Sequence, residues 1–170
     1  MASARASRGG PPVDPIDEAA RQWALRWEGV PQMHAVTSLM RVQQLVLGGL
    51  DALLKPLGLT FARYEALVLL TFSSRGSLPL GKMGERLQVH PTSVTSIVDR
   101  LEAAGLVVRR RHPEDGRTVL AEITETGRDL VERATAELVG ADFGLGALDD
   151  KGLRELSALL RPVRHSAGDF

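Results

Sequence analysis

The chain has no cysteine, which excludes disulfides, thiolate metal sites and thiol redox sensing. No apolar run approaches the roughly 18 residues of a membrane span. The opening MASARASRGGPP lacks the apolar stretch of a signal peptide, and residues 1–13 read as a disordered tail. The four histidines, His34, His90, His112 and His165, are scattered without ligand spacing, so no metal site is expected. There is no Gly-rich phosphate loop and no nucleophile placed beside a base. No catalytic residues, no cofactor and no enzymatic activity are expected, and a cytoplasmic protein is the reading. Lysine is scarce, 3 against 18 arginines, a bias that suggests a GC-rich genome.

Net charge is also absent: 21 Lys and Arg cancel 21 Asp and Glu. The cancellation is between regions, not within them. Residues 75–118 hold eight basic and five acidic side chains, and residues 119–170 hold six and ten. The middle of the chain is locally basic, with Arg109, Arg110, Arg111 and Arg117 close together. Local charge, rather than the total, sets attraction to a polyanion.

What is present is helical periodicity. With 44% hydrophobic residues, 170 residues suffice for one compact core with an appended helical layer. Asp14 and Pro15 start a first helix as cap and first residue. Ile16, Ala20, Trp23 and Trp27 form its stripe, and Gly29, Val30 and Pro31 are expected to end it. A second helix, about 32–57, is apolar on more than one side and so needs more than one covering surface, which points to a subunit interface. Thr60 caps a third helix, about 61–73, with Leu67, Leu69, Leu70 and Phe72 inward or nearly so. After a turn at 75–77 comes a short helix, 80–87.

The stretch VHPTSVTSIVDRLEAAGLV (89–107) is the informative one. Val94, Ile97, Val98 and Leu101 recur at helical spacing and face inward. Thr92, Ser96, Asp99 and Arg100 face the other way. Gly105 is a stop. The period then changes: LVVRRR (106–111) and RTVLAEI (117–123) are strand-like runs joined by a Pro and Asp-Gly turn. Two helices, about 125–139 and 149–163, end the chain, the last with a stripe of Leu153, Leu156, Leu159 and Leu160.

Helix, short helix, second helix, hairpin is the order of a winged helix-turn-helix. The expected fold is mainly α with a small β-hairpin wing, joined to a helical dimerisation domain. The parts are a tail at 1–13, an added helix and dimerisation helix at 14–58, the DNA-binding unit at 59–124 and dimerisation helices at 125–170. In such a motif the second helix, here 91–104, enters the major groove. Short hydroxyls let its backbone approach DNA closely, bond phosphate oxygens and meet base edges. Its N-terminus favours a phosphate.

The residues expected on DNA start with Thr60 and Arg63 ahead of the motif and Lys82 and Arg86 on its short helix. On the recognition helix they are His90, Pro91, Thr92, Ser93, Thr95, Ser96 and Arg100. The wing, 106–123, adds Arg117, just past its turn and able to reach a narrow minor groove, with Asp115 to brace it. Asp99 opposes DNA unless an arginine such as Arg86 or Arg100 neutralises it. A winged-helix protein-interaction module without DNA binding is the alternative.

The run TSVTSIVDRLEAAGLVVRRRHPEDGRTVLAEITETG (92–127) resembles the recognition helix and wing of the MarR family of bacterial transcriptional regulators, including a D-x-R pattern at Asp115 and Arg117. LTFARYEALVLL (59–70) and LPLGKMGERLQV (78–89) resemble the preceding helices. The resemblance implies a homodimer on a palindromic operator, acting as a repressor relieved by a small-molecule effector. The extension DPIDEAARQWALRW resembles the added helix of the branch that includes urate-responsive regulators. That likeness places a ligand site at Trp23, Glu65, Ile97 and Arg109. Glu65 stands there for an aspartate and Ile97 for an arginine. Isoleucine offers no charge-assisted hydrogen bond to an anion, so a more apolar or aromatic effector than urate is expected.

Overall fold

The computed structural model describes residues 12–170. The expected tail, apart from Pro12 and Val13, lies outside the described residues. The chain forms two compact units, one extending to Leu45 and the other spanning Val46–Phe170.

In the first unit, Asp14 accepts the Ile16 amide at 2.8 Å and starts α1, Pro15–Ala24, with Pro15 in its first turn. The helix ends at Ala24, earlier than the apolar stripe implied. Trp27 lies beyond it and packs on Trp23 with ring centroids 4.8 Å apart. The Trp23 indole N–H donates to the Glu28 carbonyl at 2.8 Å and closes the turn. Gly29, at φ +73°, makes the reversal. Pro31 then stands in the first turn of α2, Val30–Leu54, so it begins a helix rather than ending one. The first-turn amides have no helical acceptor, and a proline loses nothing there. Asp17 of α1 and His34 of α2 meet at 2.9 Å.

α2 continues into the second unit, where Leu50 and Leu54 are buried. A 3-10 turn, Lys55–Leu57, and Gly58 at φ +72° follow it. Asp51 accepts the Phe61 amide at 2.7 Å, and Thr60 caps α3, Phe61–Thr71. Leu67 and Leu70 are fully buried. Phe72, expected inward or nearly so, is 81% exposed, because α3 stops at Thr71 and Phe72 is its C-cap.

β1, Ser77–Pro79, is a strand that the sequence reading does not contain; only its first residue, Ser77, falls in the expected turn at 75–77. It is followed by α4, Leu80–Leu87, and α5, Pro91–Ala103. β2, Val107–Arg111, and β3, Val119–Ile123, form the wing hairpin. The wing is therefore a three-stranded antiparallel sheet of order β1-β3-β2, with Leu78 opposite Ala121 and Arg109 on its other side. Three residues are too few to show a period of two, and Pro79 suits only an edge strand. Thr124 caps α6, Glu125–Gly140, and α7 spans Asp150–Ser166 through Pro162. Met83, Val94, Val98, Leu101, Val107 and Leu138 join Leu54, Leu67 and Leu70 in one core. Among the described residues no single helix is long and apolar enough to cross a membrane.

Candidate nucleic-acid interface

The α4–α5 turn is tight. Gln88 takes a left-handed conformation, φ 53°. A side chain at Gly84 would press on Val94 and the Val89 carbonyl at 3.2 and 3.3 Å. Val94, Val98 and Leu101 anchor the inner side of α5, Ile97 is half-buried, and Thr92, Ser93, Thr95, Ser96 and Arg100 are exposed with Pro91 and His90. One outer face therefore bears four small hydroxyls and a cation.

Local bonds decide how free those groups are. His90 is the N-cap: its Nδ1 accepts the Thr92 amide at 3.3 Å. The Thr95 hydroxyl donates to the Pro91 carbonyl at 3.2 Å, which leaves its lone pairs for an outside donor. Lys82 and Arg86 of α4 are exposed and without ion pairs among the described residues. Arg63 is tied back, with Nε donating to Thr60 Oγ1 at 3.2 Å and Nη1 to the Gly58 carbonyl at 3.0 Å. Thr60, Arg63, Ser96, Ile97 and Arg100 line one groove of about 340 Å³.

The cation expected to neutralise Asp99 was Arg86 or Arg100; it is Arg109. Its Nη2 lies 2.5 Å from Asp99, while Nη1 pairs with Glu102 and its backbone N–H bonds Glu102 at 3.0 Å. Burial lowers the Arg109 pKa, but the bonds to Glu102 and Asp99 outweigh it and raise the value overall. Glu102 is held below its ordinary carboxylate value by the Arg109 side chain first and the Arg109 amide second. Sequence reading missed this strut from β2 to α5, although Asp99 and Glu102 sit at i, i+3 and share a helix face. Arg110 lies 3.6 Å from Glu122 on the neighbouring strand. Of the four clustered arginines of this region, Arg111 and Arg117 have no ion pair among the described residues.

At the wing, Asp115 braces the backbone of Arg117 rather than its guanidinium. Oδ1 accepts the Arg117 amide at 3.1 Å and Oδ2 the Thr118 hydroxyl at 2.6 Å. These bonds, the hydroxyl first, keep the Asp115 carboxyl below its usual value. The Arg117 side chain projects from the exposed loop without a hydrogen bond among the described residues. Arg117→Ala should weaken binding to a cognate duplex by roughly 1–3 kcal/mol and leave the melting temperature almost unchanged. Titration of a labelled duplex beside a thermal melt checks both.

Of the four expected ligand residues, Trp23 already donates its N–H to Glu28, Arg109 is held by two carboxylates, and Ile97 lines the Arg63 groove. Glu65 lies in a different, mostly apolar depression of about 380 Å³ with Phe61, Tyr64, Leu69, Phe72 and Phe143. That apolar surrounding pushes its carboxyl above the usual value.

A family model described as the MarR family matches residues 62–119, which span α3 to the start of β3. A solved MarR family transcriptional regulator from Streptomyces coelicolor is 60% identical, covers 84% of this chain and 99% of its own, and superposes with a TM-score of 0.79. The chain belongs to the MarR family. The organic hydroperoxide resistance transcriptional regulator of Bacillus subtilis is 36% identical over 108 residues, 64% of this chain and 71% of its own length. CouR from Rhodococcus jostii, solved bound to p-coumaroyl-CoA, is 30% identical, with 74% and 87% coverage and a TM-score of 0.64. As a MarR family protein the chain is a DNA-binding transcriptional regulator, and α4, α5 and the β2–β3 hairpin are its winged helix-turn-helix.

Proposed function

We propose that the protein is a homodimeric repressor of a palindromic operator, relieved by a small effector. α5 reads the major groove and the 106–123 wing flanks it. The observation that carries this reading is the outer face of α5. It presents Thr92, Ser93, Thr95, Ser96 and Arg100, and its two carboxylates, Asp99 and Glu102, are both engaged by Arg109. Thr60 and Arg63 add contacts ahead of the motif, Lys82 and Arg86 beside it, and His90 and Pro91 at its start. Segments 14–58 and 125–170 supply dimerisation and 59–124 the DNA reader. A chromosomal target places the protein in the cytoplasm.

The effector we infer is apolar or aromatic. The depression beside Glu65 is mostly apolar, and a free anion gains nothing from a carboxylate wall. Ile97, in the separate groove beside Arg63, and Arg109, held by Asp99 and Glu102, are not among the residues that line that depression. Without cysteine, a thiol-based response to hydroperoxide is closed to this chain. A gel shift with the promoter region adjoining its own gene tests the DNA reading. Affinity should fall by about a thousandfold or more between roughly 50 and 200 mM salt, because phosphate contacts release counterions. A salt-independent complex, or none, would defeat it.

A further inference from the structure

The wing loop, residues 112–118, must turn the chain between two strands while exposed to water. Its backbone donors are almost all turned inward. The His112 amide donates to the Thr118 carbonyl at 2.9 Å and the Thr118 amide to the Asp115 carbonyl at 3.0 Å. The Arg117 amide goes to the Asp115 carboxylate. The remaining pair, the amides of Glu114 and Asp115, both point at one atom, Nδ1 of His112, each at 3.2 Å. Pro113 has no N–H to give. Gly116 alone keeps an amide without a partner among the described residues. Backbone donors need acceptors, and this loop uses two side chains to supply them: the Asp115 carboxylate after the turn and the His112 ring before it.

We propose that His112 is a positioning residue for Arg117: its Nδ1 lone pair gathers the Glu114 and Asp115 amides and so sets the loop from which Arg117 reaches DNA. A nitrogen that accepts backbone N–H groups bears no hydrogen of its own, so the ring is the neutral tautomer with its hydrogen on Nε2. The imidazolium, with hydrogens on both nitrogens, has no acceptor to offer. His112 therefore acts through its lone pair and not through a charge. It fixes Asp115, whose carboxylate then orients Arg117 and Thr118. His90 uses the same atom in the same way at the start of α5.

The inference rests on the reading of the wing as a DNA contact, and the test separates the two. A duplex selected from a random pool by the wild-type protein serves as probe, with full-length His112→Ala, His112→Asn, His112→Lys and Arg117→Ala compared at one salt concentration. An asparagine oxygen accepts an amide two residues on, as in an Asx turn, whereas lysine supplies charge and no acceptor. His112→Ala and His112→Lys should lose affinity about tenfold, the factor expected for the free energy of roughly one hydrogen bond. His112→Asn should return to within about twofold of wild type on the same scale. In the free protein, ring nitrogen NMR shifts should mark Nδ1 as the bare nitrogen and Nε2 as the protonated one. The opposite tautomer overturns the inference, as does wild-type affinity in His112→Lys. Wild-type affinity in His112→Ala beside a weakened Arg117→Ala overturns it while the wing reading stands. Wild-type affinity in Arg117→Ala removes the wing reading, and the inference with it.

Discussion

Replacing Leu159 with glutamate is expected to split the protein into monomers and to lower affinity for its operator by about two orders of magnitude or more. α7 has no buried residue in the single chain, yet Leu159 and Val163, one turn apart, are 72% and 59% exposed. α2 likewise exposes Leu39, Met40 and Leu45, the last at 68%. Two helices with bare apolar surface call for a partner, and in a regulator of this family that partner is a second copy. A glutamate at the centre of such a contact would be buried without a counter-charge. Once dimerisation is lost, the second half-site is no longer held near its reader, and the affinity gained by linkage, about 10² to 10⁴, goes with it. Light scattering at micromolar concentration and a duplex titration read the two effects, with Leu45→Glu as a second position. A variant that keeps a dimer's mass and wild-type affinity would put the subunit contact elsewhere.

The largest loss of stability is expected from Gly127→Ala, by roughly 2–4 kcal/mol. Gly127 is buried in the first turn of α6, and a methyl group there would come within 2.3 Å of the Leu106 carbonyl oxygen and 2.8 Å of Ile123. The first contact is with backbone, so no rotamer relieves it. The crowding has a purpose. Thr124 donates its amide to the Leu106 carbonyl at 3.0 Å and its hydroxyl to the Gly105 carbonyl at 2.8 Å. Gly127 lets the start of α6 close against Gly105 and Leu106, just past the recognition helix. Urea denaturation at matched protein concentration measures the loss, since a dimer's apparent stability depends on concentration. Gly81→Ala is the control: nothing lies within 4 Å of the added methyl. Unaltered stability in Gly127→Ala would mean that the α6 start is free to shift.

Most of the motif is legible in the sequence. Asp14, Thr60 and Gly105 marked helix ends that lie within a residue or two of where they were placed. The 3.6-residue spacing of Val94, Val98 and Leu101 identified the buried side of α5, and Leu80–Leu87 was bounded correctly. These signals are local: a cap, a stop or a periodic stripe acts on residues a few positions away, so the chain order alone contains them. Trp27 and Phe72 misled because apolar spacing continues past the point where a helix actually stops. Spacing says which residues would share a face, not how far the backbone stays helical.

By itself, the sequence determined the mainly α winged helix-turn-helix, the hydroxyl-bearing face of the recognition helix and an exposed arginine at the wing, since composition, period and turn chemistry are properties of neighbours along the chain. Only the tertiary structure decided the third strand, which gains its hydrogen bonds from residues more than forty positions away. It also decided the fate of each charge. In the charge count Arg109 is one arginine of a basic run; folding brings β2 beside α5, where Asp99 and Glu102 engage it. Ion pairing depends on distance in space, and a charge count along a chain has no distances in it.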